Sequence, residues 1–374
     1  MASIFRSSLL VVWGCILPMM GVSQQLLTLV SPLSATLSET SGLIRIDSLW
    51  FTHNDSGGAS KLFQFDPETG QVTREIIVGN ALNRDWEDLC HDSAFVYIGD
   101  FGNNQGSRTD LRIFRVPLLD VLDINQDTVW ADTLNFSYAD QVDFTPTSYS
   151  TNYDAEAMIS RGDSLFIFTK NWGDQQSRVY ALPKTPGDYS LNPIDTLAIQ
   201  GLVTGASYDE EWGTLGLIGY AFTGAFFAEA EWIGSQLVSE SALTMEVANT
   251  PGGYSFQIEG IAHTDSGTYL ITAESGLSGA GAVYEWPPAT ITSHAPLLDD
   301  PIRIFPNPAS HAFEVVFSDF GRMELRDLKG RLVAESDLPT LDIGQIPAGI
   351  YLITIWSVRG QTLGTYPLVI EGSN

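Results

Sequence analysis

The sequence predicts an all-β fold, a β-propeller of residues 24–296 followed by a small immunoglobulin-like β-sandwich over 297–374, on three observations. Five self-similar segments recur, beginning at Ser41, Glu87, Glu156, Thr204 and Glu259. Each reads as a short strand, a polar turn, an apolar and aromatic strand and a Gly/Asn/Ser loop, with no helical hydrophobic period. Beyond residue 300 the texture shifts to short alternating strands cut by Pro, Gly and Asp, as in a small sandwich. The 44% hydrophobic content and 34 glycines in 374 residues fit a packed, turn-rich chain rather than a disordered one.

Residues 1–23 come first. Arg6, an apolar run from Leu9 to Val22 and the small residues before Gln24 have the layout of a secretory signal peptide. Gly14 and Pro18 interrupt a run already short for a spanning helix, so no transmembrane segment is expected in the mature chain. A second reading takes Val12-Trp13-Gly14-Cys15 as a lipidation box. Loss of Cys15 leaves Cys90 alone, beside apolar Leu89, as a buried thiol.

The propeller follows. Its repeats start 46, 69, 48 and 55 residues apart, near the span of a four-stranded blade. Third strands are expected at 62–65, 111–116, 178–182 and 282–286, and a fourth at 72–78 after the Asp66–Gly70 turn. Strand 26–30 is placed to complete the last blade and close the ring, removing a free edge. Five repeats favour five blades; the insertion at 127–150 leaves room for a sixth. Short segments around Glu39–Leu43, Asp85–Leu89 and Tyr153–Ala157 make the body weakly similar to the SdiA-regulated and phytase-like secreted propellers.

The hairpin geometry makes a sharper prediction. The start of the first strand lies beside the end of the second, so Glu87 neighbours Asp100, Glu156 neighbours Lys170 and Asn171, Glu259 neighbours Glu274, Ser41 lies near Asn54 and Asp55, and Thr204 near Tyr220, with His53 next to Asn54. In a propeller these hairpins are innermost, so the pairs ring one mouth of the channel. Lys61, Arg108 and Arg178, each after a serine and before a third strand, are assigned to the same face. Crowded carboxylates repel unless paired or bound to a cation. Glu87, Asp100, Glu156, Glu259 and Glu274 are therefore the candidate calcium ligands, since hard cations take oxygen, and Lys61, Arg108, Lys170, Arg178 and His53 the candidate ligand-binding set. The plain alternative is that these acids and bases only pair with one another. His91 and His263 fall at the hairpin turns, on the opposite face. The stretch Asp123–Asp127 imitates an EF-hand start but lacks its glycine and closing Glu. No HExxH, nucleophile elbow, P-loop or zinc spacing occurs.

The tail comes last. Phe305-Pro306-Asn307-Pro308-Ala309, Asp327-Leu328-Lys329-Gly330-Arg331 and Ile346-Pro347-Ala348-Gly349-Ile350-Tyr351 stand in order at the end of the chain. With these, residues 300–370 resemble the C-terminal sorting domain of the type IX secretion system of Bacteroidota. That resemblance implies handling by the type IX machinery and a protein that is secreted, extracellular or held at the outer-membrane surface. Pro367 stands where the family usually has a basic residue, so anchoring and release both stay open.

Charge narrows the function. The net charge is −27, with 45 acidic against 18 basic residues, and only four of these bases are lysines, which excludes work on nucleic-acid phosphates. Three readings remain: an exported propeller binding an unknown ligand or partner at one mouth, with calcium as the candidate cofactor; a secreted calcium-dependent hydrolase of the phosphoesterase or lactonase kind; and a structural or adhesive surface protein. Fold alone does not choose among them.

Overall fold

The computed structural model describes residues 25–55, 57–210, 213–221, 224–233, 236–239, 243–246, 257–264, 268–275, 280–286, 303–305, 309–317, 320–327, 331–358 and 362–370. The expected signal peptide and residues 287–302 lie outside them.

Among the described residues before 287, five antiparallel-cored sheets form. Their inner strands are Thr40–Ile46, Trp86–His91, Ala155–Arg161, Leu202–Asp209 and Ile258–His263. Each touches the next, and the last touches the first. Buried clusters lie between every pair of neighbouring sheets. Phe51 and Trp86 share the cluster between the first and second, Tyr97 and Tyr180 that between the second and third, and Phe168 and Leu217 that between the third and fourth. Phe227 and Trp286 join the fourth to the fifth, and Leu270 with Phe63 joins the fifth back to the first. The ring of sheets is a β-propeller.

Burial follows position. The inner strand Trp86–His91 is buried at five successive positions, because one face meets the axis and the other a neighbouring sheet. The outer strand Gln71–Val78 alternates exposed and partly buried residues over most of its length, with one face in water. This is why inner strands read as continuous apolar runs while outer ones alternate.

The outer edges are stitched between sheets. Thr128–Val129 pairs in parallel with the outer strand of the first sheet, and Gly187–Leu191 with that of the second. Gln25–Leu26 does the same to Leu243–Glu246 of the fourth. The 127–150 insertion thus supplies an edge strand to the first sheet and the fourth strand of the second, Asp132–Tyr138. Thr28–Pro32 pairs antiparallel with Ala282–Trp286 and completes the fifth sheet, the closure expected from the sequence. The EF-hand-like loop is structural: Arg74 donates to the carbonyls of Val121, Asp123 and Gln126 at 2.6–2.8 Å.

Residues 303–370 form two sheets, one of three strands and one of four. Phe313 and Val315 of the first share a buried core with Met323, Leu325, Ile353, Ile355 and Leu368 of the second, a small sandwich. Pro367 lies in the edge strand Thr362–Ile370, where a missing N–H is tolerated.

Candidate functional site at the acidic mouth

One local irregularity builds the mouth. In all five inner hairpins the register slips by one residue near the start of the first strand, at Gly42, Glu87, Glu156, Thr204 and Glu259. A bulge re-aims the side chain it carries, and three of the five are glutamates. They face a cavity of about 440 Å³ that six carboxylates line: Asp55, Asp85, Glu87, Glu156, Glu259 and Glu274. Gly102 makes room for two of them, since a Cβ there would fall on the carboxylate oxygens of Glu87 and Asp85.

Lys170 is the cation among these acids. It is 4% exposed, its Nζ lies 2.5 Å from Glu156 Oε2, and the rings of Trp172 and Tyr220 are centred 5.1 and 5.0 Å away. Burial works against the ammonium, but Glu156, Tyr220, Glu259 and Asp154 outweigh it and hold its pKa well above the usual lysine value. The acids are displaced upward as well, toward their neutral forms. Burial, reinforced by neighbouring carboxylates, pushes Glu259 and Glu274 up to about 8 and Asp85 to about 6. Burial first, then Glu156, Asp85 and Asp154, also lifts Glu87 well above the carboxylate range. One ammonium does not balance the group.

A tighter cluster sits at one side. Glu39, Asp55 and Glu274 each present a carboxylate oxygen, all within 4.8 Å of one another. Calcium takes oxygens at about 2.3–2.6 Å, so two ligands of one ion lie at most about 5 Å apart. The spacing fits.

The structure therefore brings Glu87, Glu156, Glu259, Glu274 and Lys170 to one cavity and sets the other predicted residues outside its lining. Asp100 lies beneath, fully buried, accepting from Asp85 N and Arg108 Nη2 at 3.0 and 3.1 Å, with Arg112 Nε at 3.2 Å. Arg108 is spent there and on Asp110 and the carbonyl of Gly102. Lys61 pairs with Glu75 on the neighbouring outer strand at 2.7 Å, and Arg178 with Asp174 at 3.1 Å. His53 is wholly buried against Trp86, its Nδ1 3.0 Å from the carbonyl of Asn54, and burial lowers its pKa to about 4. These four bases are held by structure, not offered to the mouth.

Four residues that bear on the site stood outside the candidate sets. Glu39 and Asp55 flank the first hairpin, and Asp85 precedes the second; each was readable as an acid at the mouth end. Asp88 was hidden by its neighbour Glu87. It lies deeper in the channel, 1% exposed, and accepts from the backbone N–H of Leu89 at 2.8 Å, of Met158 at 2.7 Å and of Ala206. One carboxylate so ties the inner strands of the second, third and fourth sheets. Burial pushes its pKa up, with the three N–H bonds pulling against that.

The opposite mouth holds a larger cavity of about 710 Å³, where His91 and His263 sit as expected. Three of its polar groups are engaged: His91 Nε2 lies 2.8 Å from the carbonyl of Arg45, His263 Nδ1 2.8 Å from Ser207 Oγ, and Lys184 Nζ 2.9 Å from Asp92. Cys90 lines it as a buried thiol whose pKa burial raises, as an inert cysteine should.

The tail gives the chain its class. Residues 303–368 match the secretion system C-terminal sorting domain. The protein is a type IX secreted protein with a β-propeller-like body, exported to the cell surface or beyond it and handled by the type IX machinery. No helix among the described residues is long and apolar enough to cross a membrane. A search of curated proteins finds no match. Among solved structures, the chain is similar to the PQQ-bound aldose sugar dehydrogenase of Streptomyces coelicolor, with TM-score 0.40 and 11% identity over 69% of this chain and 97% of that one. It is also similar to PorZ, a surface component of the type IX secretion system of Porphyromonas gingivalis, with TM-score 0.37 and 11% identity over 89% of this chain and 45% of that one. A gluconolactonase from Xanthomonas campestris gives TM-score 0.37 and 14% identity over 68% and 73%.

Proposed function

We propose that this is an exported binding protein of a Bacteroidota cell, carried to the inner membrane by an N-terminal signal peptide, which takes a ligand at the acidic mouth with calcium bound there. The observation that carries the reading is the charge imbalance: six carboxylates line one cavity that contains a single ammonium. Glu39, Asp55 and Glu274 are the calcium ligands in this reading, on the spacing of their oxygens.

The raised acids define the test. Glu259 and Glu274 bind protons more tightly folded, at about 8, than unfolded, near 4.5. The folded state then holds more protons than the unfolded one between these values, and stability falls as pH rises through that window. The calcium-free protein is expected to melt lower at pH 8 than at pH 5.5. Calcium at 100 times its Kd stabilises by about 2.7 kcal/mol, and this rise should be larger at pH 8, because at low pH the ion must displace protons. Scanning calorimetry at both pH values, with calcium or chelator, checks it. A melting temperature indifferent to calcium at pH 8 would refute the metal reading.

Asp85 supports a second reading. It lines the same cavity with its pKa held at about 6, in the range of a general base at neutral pH. In a calcium-dependent hydrolase, Asp85→Asn would abolish turnover of lactones or phosphate esters while leaving the calcium-dependent melting shift intact.

A further inference from the structure

The half of the mouth away from Glu39, Asp55 and Glu274 has a different chemistry. Glu87 is 6% exposed and lines the cavity, and its carboxylate has no hydrogen bond or ion pair from any described residue. Such a carboxyl either holds a proton or, as an anion, needs a cation from outside the chain to pair with it. The wall beside it is aromatic. The 139–152 segment brings Tyr149 against this rim, its N–H bonded to the carbonyl of Asn104 at 3.2 Å, two residues from the Gly102 that Glu87 abuts. Tyr149 is 65% exposed and meets Trp172 edge-on, ring centroids 4.8 Å apart, and both line the cavity.

Ring faces give nothing to calcium, which takes oxygen ligands. They do attract alkylammonium groups, whose charge is spread over a partly apolar surface. The chain supplies its own example next door: the Lys170 ammonium rests between Glu156 and the rings of Trp172 and Tyr220. We propose that the Glu87–Tyr149–Trp172 side of the mouth binds a small organic cation of the polyamine class, one ammonium paired with Glu87 under the aromatic rim. A cavity of about 440 Å³ is of small-molecule size. This names the ligand class for the binding reading above, and rests on it, but does not require calcium.

Spermidine is the probe, titrated calorimetrically into the full chain at pH 8 and moderate salt, with magnesium at matched charge as control. The expected result is saturable binding that Glu87→Gln and Tyr149→Ala each weaken at least tenfold, while Tyr149→Ala keeps the melting temperature, Glu87→Gln holds or raises it at pH 8, and both keep its calcium-dependent rise. No saturable binding, affinity unchanged in both variants, or equal competition by magnesium would each overturn the proposal, the last by showing bulk charge attraction only. If spermidine fails and calcium still stabilises, the amine site alone is lost. If calcium does nothing while spermidine binds as described, the metal reading falls and the amine site stands. Should Glu87→Gln lower the melting temperature, Tyr149→Ala, at an exposed position, decides by itself.

Discussion

Replacing Asp88 by alanine is expected to remove about 3–6 kcal/mol of folding stability, a large part of what a domain possesses. The reason is the number of donors that one side chain serves. Leu89, Met158 and Ala206 give it their backbone N–H groups from three different inner strands. Alanine leaves all three without an acceptor at a place water does not reach, and each orphaned donor costs about 1–3 kcal/mol. Asparagine should cost less, because its amide oxygen still accepts while its NH₂ faces a donor. Urea denaturation of both variants measures this. An alanine variant within 1 kcal/mol of the parent would mean that the carboxylate does not hold the sheets together.

Lys170→Met is expected to cost about 3–5 kcal/mol at pH 8, the usual loss on removing one member of a buried ion pair, and clearly less at pH 5. With the ammonium gone, Glu156 is left to burial, which already raises its pKa most, and to Asp154 and Glu259, which add to that rise. Its folded value then moves further up while its unfolded value stays near 4.5, so the variant takes up a proton on folding. Below that unfolded value the carboxyl is neutral in both states and the missing partner is not felt. As pH rises toward the raised folded value, an increasing share of the loss appears. Urea midpoints at the two pH values should therefore diverge. Equal losses at pH 5 and pH 8 would show that Glu156 is not the group left uncompensated.

Much of the architecture was legible because a hairpin repeat has few ways to pack. The apolar strands, the closing strand near residue 28 and the gathering of Glu87, Glu156, Glu259 and Glu274 at one mouth all follow from strand order and antiparallel pairing. The bases misled for a physical reason. Lys61, Arg108 and Arg178 do stand before third strands, but a long side chain pairs with the nearest acid, and Glu75, Asp100 and Asp174 are nearer than the channel. Asp88 was illegible for another reason. Strict alternation sends neighbouring residues to opposite faces, so Glu87 and Asp88 cannot both serve the channel in a regular strand. The slip at Glu87 removes that restriction, and nothing in the residue types announces it. Tyr149 lay in a segment without periodicity, where sequence carries no positional information.

The pairing of Thr28–Pro32 with Ala282–Trp286 has a consequence in time. A ribosome makes the first of these strands early and must traverse the rest of the propeller before its partner exists. During that interval Leu43, Trp50, Phe63 and Phe65 have no fifth sheet to cover them, and the nascent arc offers unpaired edges at both ends, the state in which β chains aggregate. Closing so long a loop is also slow. The acidic mouth draws Glu259 and Glu274 from that last-made sheet, so it does not exist on a partial chain. Any cation it takes is bound only once the ring has shut, and a chain interrupted before Glu259 lacks two of the six carboxylates that line the mouth.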